Sequence, residues 1–500
     1  MGVEAPPSDD DVSDAPPTGG YGSLGVAIGC LVVAFCSVLA SFPIKDNSFL
    51  THLATGRIIF DTGSVPSSDP YTFTAPGIEW TVQSWLASVA YAGAEQLGGG
   101  AGLRLLVFLL FGLSAALLWR LSRPAESLVM RILVVTPALF VAADVWSERP
   151  YMIGVIGLGV VWLALEGSVR PWVLGPLLWV WANAHGSFLL ALGLVVTVLV
   201  GEAADQRRVR SGAADPGPYD LGRETAVLKW TVIGTLASAV GPLGLRVLTF
   251  PLKAVTSSDV LGEIVEWKAP AFTSVPQRMF LLMIVAAIAA LTKDGRWRLA
   301  LPAMAFAASG LLAQRNIVMA VMVLVPVIAA AAPSVGTLTS RDRPRIGWAL
   351  TTAGVALTLL IVVSTLSESV TTLEPYPERS VAWAGAVDPD REAGRMAAPD
   401  YVGNLIEALD GPTGDVFVDD RVDMFPAEFF FDSRALAKGE PRWSEVLDTY
   451  GIGVALWARS SPVTSLFAED EEWRVVFADL DSIVACRRGP ACDRLSVSGN

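Results

Sequence analysis

Two histidines, His52 and His185, are the only imidazoles in 500 residues, and each sits in a polar break beside long apolar runs. His52 lies in "DNSFLTHLATG" (46–56), which Asp46 opens. His185 lies in "WANAHGSF" (181–188), with Asn183 two residues before it. Other breaks supply further scarce polar groups: Arg149 in "SERP" (147–150), Glu266 in "EIVEW" (263–267), and Arg315 and Asn316 in "QRN" (314–316). Asp69 stands before Pro70 in "SVPSSDPYTFT" (64–74). A carboxylate at the end of an apolar segment is costly unless paired, solvated or used. Asp46 used in this way would be a general base, with Glu266 or Asp69 as second acid. His52, Arg149, Asn183, His185, Arg315 and Asn316 would bind substrate, and the cations among them suit a phosphate or pyrophosphate leaving group. Each residue alone also has a plain reading: a hydrated helix end, a turn residue at Asp69, a solvated cation. Convergence of all of them on one face is what would separate the two.

Other chemistries lack their residues. There is no Walker loop, no dinucleotide glycine fingerprint, no HExxH and no CxxC pair. Two histidines exclude a histidine-rich metal centre. No cofactor is indicated, and a divalent cation (Mg or Mn) held by carboxylates stays open. A net charge of −13 and the lack of a basic stripe argue against nucleic acid.

The elements that must position these residues are apolar. Hydrophobic residues make up 52% of the chain, charged residues 17%, and mean hydropathy is +0.50. These values describe a polytopic membrane protein. Helix-length apolar runs fall at about 23–43, 101–119, 131–147, 150–167, 171–184, 186–203, 226–243, 278–292, 299–313, 316–332 and 346–367, which predicts about eleven spans in a membrane domain over 22–368. Basic residues gather in alternate loops: Arg120, Arg123 and Arg131; Arg170; Arg207, Arg208 and Arg210; Lys293, Arg296 and Arg298; Arg341, Arg343 and Arg345. If those loops are cytoplasmic, the amino terminus is inside and the carboxyl terminus outside. Lys45, after the first span, is the contrary sign. Residues 1–21, with five acids, four prolines and no Lys or Arg, read as a disordered cytoplasmic tail. Both histidines then reach the outer face, along with the large first outer loop, 44–100. Within that loop, 82–98 reads as an amphipathic interface helix anchored by Trp80 and Trp85. From 377 to 500 the composition turns polar. Strand-like runs at 415–420, 453–458, 473–479 and 482–488 alternate with helix-like segments at about 399–410, 442–450 and 461–469. This predicts an extracytoplasmic α/β domain with its own core. Cys486 and Cys492 in "CRRGPAC" would close a small loop in an oxidising compartment.

The order of these motifs resembles the GT-C-type membrane glycosyltransferases, and most nearly a bacterial branch like the protein mannosyltransferases and aminoarabinose transferases. That branch carries Asp–x–Asp–x–x–x–His–x–x–x–Gly and then Pro–x–x–Asp–Pro. Asp46, His52, Gly56, Pro66, Asp69 and Pro70 match, whereas Ser48 stands where the second acid would be. "ERP" (148–150), "WANAHGSFL" (181–189), "EW" (266–267), "RN" (315–316) and "VFVDDRVDMF" (416–425) match too. The resemblance implies a multi-pass cell-membrane enzyme among membrane lipids. It would transfer a hexose or pentose from a polyprenyl-phosphate donor to a cell-envelope acceptor. A transporter or flippase for a lipid-linked substrate, and a non-catalytic envelope scaffold, are the alternatives.

Overall fold

The computed structural model describes residues 23–44, 46–212, 221–256, 264–332, 344–366 and 376–498. The expected tail 1–21, Lys45, Arg341 and Arg343 lie outside the described residues. The chain is mostly helical. Its membrane part contains α1 (Ser23–Ser41), α2 (Asn47–Thr62), α3 (Trp85–Leu121), α4 (Leu128–Val145), α5 (Tyr151–Leu165), α6 (Leu174–Ala184), α7 (Leu189–Arg210), α8 (Leu221–Ala237), α9 (Arg246–Thr256), α10 (Val275–Asp294), α11 (Trp297–Leu312), α12 (Ile317–Ala330) and α13 (Pro344–Thr365).

Each of the eleven apolar runs is helical over most of its length. Among the described residues, six helices are long and apolar enough to cross a membrane: 23–41, 85–121, 128–145, 186–210, 275–294 and 344–365. Three more, 151–165, 297–312 and 314–330, are apolar but shorter. The chain is therefore a membrane protein, but length and composition do not yield eleven spans. The helices at 174–184 and 221–237, of 11 and 17 residues, fall short of the roughly 20 that a bilayer core needs.

Two helices are buried on nearly all sides. Every residue of α12 except Ile328 and Ala330 is buried, and α5 is almost as enclosed. Helices apolar all round belong at the centre of a bundle. Arg149 and Arg315 each lie two residues before one of these central helices. The packing that hides α5 and α12 thus brings the two arginines into the interior at one end of the bundle.

Segment 44–100, expected to be the first outer loop, differs from its expected form. Residues 85–98 are the first turns of α3, which bends at Gly99 (φ 56°) and continues through the bundle. They pack on α2, where Gly56 comes so close that an added Cβ would lie 2.0 Å from the Ser88 carbonyl oxygen. Trp80 is buried under Arg421, whose guanidinium carbon stands 4.4 Å from the ring centroid, and so is no lipid anchor.

After the bundle come α14 (Glu378–Val387), β1 (Arg395–Ala397), α15 (Asp400–Asp410), α16 (Ala427–Lys438), α17 (Trp443–Thr449), β2 (Ile452–Ala458), α18 (Pro462–Glu469), β3 (Trp473–Ala478), β4 (Ser482–Arg487) and α19 (Pro490–Ser498). The sheet order is β1-β2-β4-β3, with β1 parallel to β2 and the other pairs antiparallel. Cys486 and Cys492 form a disulfide. The run at 415–420 is no strand of this sheet. Asp415 sits at φ 51°, and Val416 instead exchanges backbone bonds with the first outer loop: it donates to Tyr71 O at 3.1 Å and accepts from Phe73 N at 3.1 Å. One apolar core joins Ala54, Tyr71, Ala75, Trp80 and Val82 to Phe417, Phe425, Leu447, Trp457 and Phe467. This cluster of the C-terminal part is therefore shared with segment 44–100, whereas a second cluster around Val402, Ile406, Val454, Leu456 and Val484 is its own.

Candidate active site

Asp46 caps α2 and accepts the Ser48 backbone N–H at 3.0 Å through Oδ1. Its Oδ2 accepts from Arg149 Nε at 2.5 Å, and Arg149 Nη1 donates to Glu266 Oε1 at 2.5 Å. One guanidinium thus joins two carboxylates from segments 103 and 117 residues away. Burial works against the Arg149 charge, but Asp46 and Glu266 more than offset it and hold its pKa above the usual arginine value.

A cavity of about 460 Å³ opens beside this triad. Asp46, Ser48, His52, Arg149, His185, Glu266, Arg315 and Asn316 all line it, as do Tyr151, Ser187 and the first residue of α12. Arg315 lies over Trp267, its guanidinium carbon 4.3 Å from the ring centroid. That guanidinium makes no hydrogen bond or ion pair with any described residue. Asn316 donates to the Ser309 carbonyl at 3.4 Å.

Both histidines are neutral at physiological pH. Burial, with Arg315, His52 and Arg149 nearby, lowers His185 to about 3. Burial and Arg149 lower His52 to about 4. His185 Nδ1 accepts the Ser187 backbone N–H at 3.2 Å, so its proton is on Nε2 in the neutral ring. His185 can donate a hydrogen bond but brings no positive charge. His52 Nδ1 lies 3.1 Å from Ser88 Oγ.

Two expected site residues do not line the cavity. Asn183 is buried, donating to Trp179 O at 2.9 Å and accepting from Trp85 Nε1 at 2.9 Å. It ties α6 to α3 instead of orienting His185. Asp69 is also buried. It accepts from Tyr71 N at 3.1 Å, Thr72 N at 3.1 Å and Arg421 Nη2 at 2.7 Å. Asp69 therefore anchors the C-terminal segment to the first loop.

The cavity also holds residues that the sequence did not single out: Asp144, Tyr151, Ser187, Gln277 and Gln314 line it, beside Ser48, which the sequence marks only as a missing acid. The polar breaks were the available signal, and Ser187 and Gln314 share those breaks with His185 and Arg315.

The residues present do not form a site for Mg or Mn. Asp46 and Glu266 both face Arg149, and among the described residues no three His, Cys, Asp or Glu side chains converge as metal ligands.

No family model matches the chain, and no curated protein matches it. Among solved structures, it is similar to the oligosaccharyltransferase of Archaeoglobus fulgidus tethered to an acceptor peptide containing the NVT sequon. The two share 12% identity and a TM-score of 0.50, over 88% of this chain and 69% of that one. The same archaeal enzyme with zinc and sulfate gives 12% identity and a TM-score of 0.47 over 87% and 68% of the two chains. With an inhibitory peptide and a dolichol-phosphate it gives 13% and 0.41 over 88% and 69%. The first likeness shows a shared fold.

Proposed function

We propose that the chain is a membrane glycosyltransferase. It would move a sugar from a polyprenyl-phosphate donor to an acceptor on the outer face, in a direct inverting displacement. The observation that carries this reading is Arg315. It is a guanidinium stationed over Trp267, without a hydrogen bond or ion pair to any described residue, in the cavity that also contains Arg149. Such a group is preorganised for an anion that arrives with the substrate. When the sugar–phosphate bond breaks, charge grows on the departing phosphate, and Arg149, Arg315 and the His185 Nε2–H are placed around one volume to receive it. Asp46 and Glu266 keep Arg149 charged and fixed. The first turns of α5 and α12 line the same volume, and their amino-terminal dipoles favour the same anion. The oligosaccharyltransferase fold agrees with lipid-linked sugar chemistry. The Cys486–Cys492 disulfide agrees with an extracytoplasmic C-terminal part.

The test is turnover. The full-length protein in nanodiscs is incubated with farnesyl-phosphate-linked hexoses and pentoses and a cell-envelope extract as acceptor, and release of farnesyl phosphate is followed. Release from at least one donor is expected. No release from any of them, whether or not farnesyl phosphate itself is bound, would refute the reading.

A further inference from the structure

Resting on that transfer reading, we propose that Asp420, acting through the Ser48 hydroxyl, takes the proton of the acceptor. Asp46, one of the two acids paired with Arg149, is occupied on both oxygens, one of them by a permanent cation. Ser48 is different. It lines the cavity, and its Oγ donates to Asp420 Oδ2, 372 residues further along the chain. Asp420 is outside the cavity lining, so Ser48 stands between it and the substrate volume.

This placement is built into the fold. Asn404 of α15 is fully buried and donates through Nδ2 to Asp420 Oδ1 at 2.6 Å and to Asn47 O at 3.1 Å. Its Oδ1 accepts the Asp420 backbone N–H at 3.2 Å. One amide side chain therefore fixes Asp420 and the start of α2 relative to each other. Both donors to the Asp420 carboxylate, Ser48 and Asn404, are neutral. The charged or titratable groups around it are Asp419, Asp46, Arg149 and Tyr376. Burial, with Asp419 and Asp46, pushes Asp420 up to about 6, against the two hydrogen bonds. A base of that strength is mostly ionised at pH 7 and still close enough to take up a proton.

In the step, the acceptor hydroxyl gives its proton to Ser48 Oγ as Ser48 gives its own to Asp420 Oδ2. The acceptor oxygen bonds to the anomeric carbon, and the bond from that carbon to the phosphate oxygen breaks. The lipid phosphate leaves with the electron pair and one more negative charge, and Asp420 ends neutral. Asp420 is thus a positioning residue that acts through Ser48.

The experiment follows kcat/KM against pH with a farnesyl-phosphate sugar that the wild type turns over, alongside farnesyl phosphate affinity and melting temperature. Wild type should lose rate as pH falls through about 6. Asp420→Asn should lower kcat roughly a hundredfold and abolish that acidic limb, with farnesyl phosphate affinity unchanged. Ser48→Asp in the Asp420→Asn background should restore turnover by moving the carboxylate into the cavity. An active Asp420→Asn with its acidic limb intact would overturn the proposal. So would loss of turnover accompanied by loss of affinity and of melting temperature, with no rescue by Ser48→Asp. A wild type that binds farnesyl phosphate yet turns over no donor would refute the transfer reading itself, and the proton route with it.

Discussion

Removal of the Arg315 guanidinium separates anion binding from folding more cleanly than any other change in the cavity. The side chain has no hydrogen bond or ion pair to a described residue, so Arg315→Ala leaves no buried carboxylate without its partner. The protein loses one stacking contact on Trp267, worth about 0.5–2 kcal/mol. A bound phosphate loses a charge-assisted hydrogen bond, worth about 1.5–3 kcal/mol. At about 1.4 kcal/mol per factor of ten, affinity should fall roughly ten- to a hundredfold. Titration of full-length protein in nanodiscs with farnesyl phosphate reads this directly, with farnesol as the uncharged control. Farnesol affinity should not change. Arg315→Lys should recover part of the loss, because an ammonium keeps the charge but not the planar stack on Trp267. Arg149→Ala differs, because it strands Asp46 and Glu266 and should cost stability as well as affinity. Unchanged farnesyl phosphate affinity in Arg315→Ala would refute the assignment of Arg315 to the phosphate.

Two further outcomes follow from burial. His185 is lowered from 6.5 to about 3 in the folded protein, so between these values the unfolded chain binds the extra proton and stability falls as pH falls. Melting temperature measured from pH 7 to pH 4.5 should therefore decline less steeply in His185→Gln than in wild type; an equal or steeper decline would mean that His185 is not buried neutral. Asp69→Asn removes one of the two carboxylates bonded to Arg421, with side chains 0% and 7% exposed and Asp419 still in place, and should cost about 1–3 kcal/mol of stability in urea unfolding. Farnesyl phosphate affinity of the folded variant should stay at the wild-type value, and a selective loss of affinity would return Asp69 to the site.

The helices and the cavity were legible for one reason, the rarity of polar residues between apolar runs. A lone Arg149 or Arg315 there marks a helix end, and central packing of α5 and α12 turns two such ends into neighbours. The same logic misplaced Asn183 and Asp69, because a scarce polar group can be spent on the scaffold as readily as on a substrate. Asn183 satisfies a tryptophan N–H and a helix carbonyl, and Asp69 satisfies Arg421. Asp420 was hidden for the opposite reason. It lies in a charged stretch, 416–425, where the sequence offers only a motif match with no role for any one residue, and a strand-like reading of 415–420 placed it in a sheet. Only the docking of that segment on the first outer loop gives it a partner in the cavity wall. Arg421, the next residue, stacks on Tyr71 and Trp80 and pairs with Asp69 and Asp419. Asp420 therefore stands beside an anchor as well as beside Ser48, and its position depends on the same contacts that join the C-terminal part to the bundle. On the proposed proton route, changes that loosen Arg421 should therefore lower turnover by moving Asp420 away from Ser48.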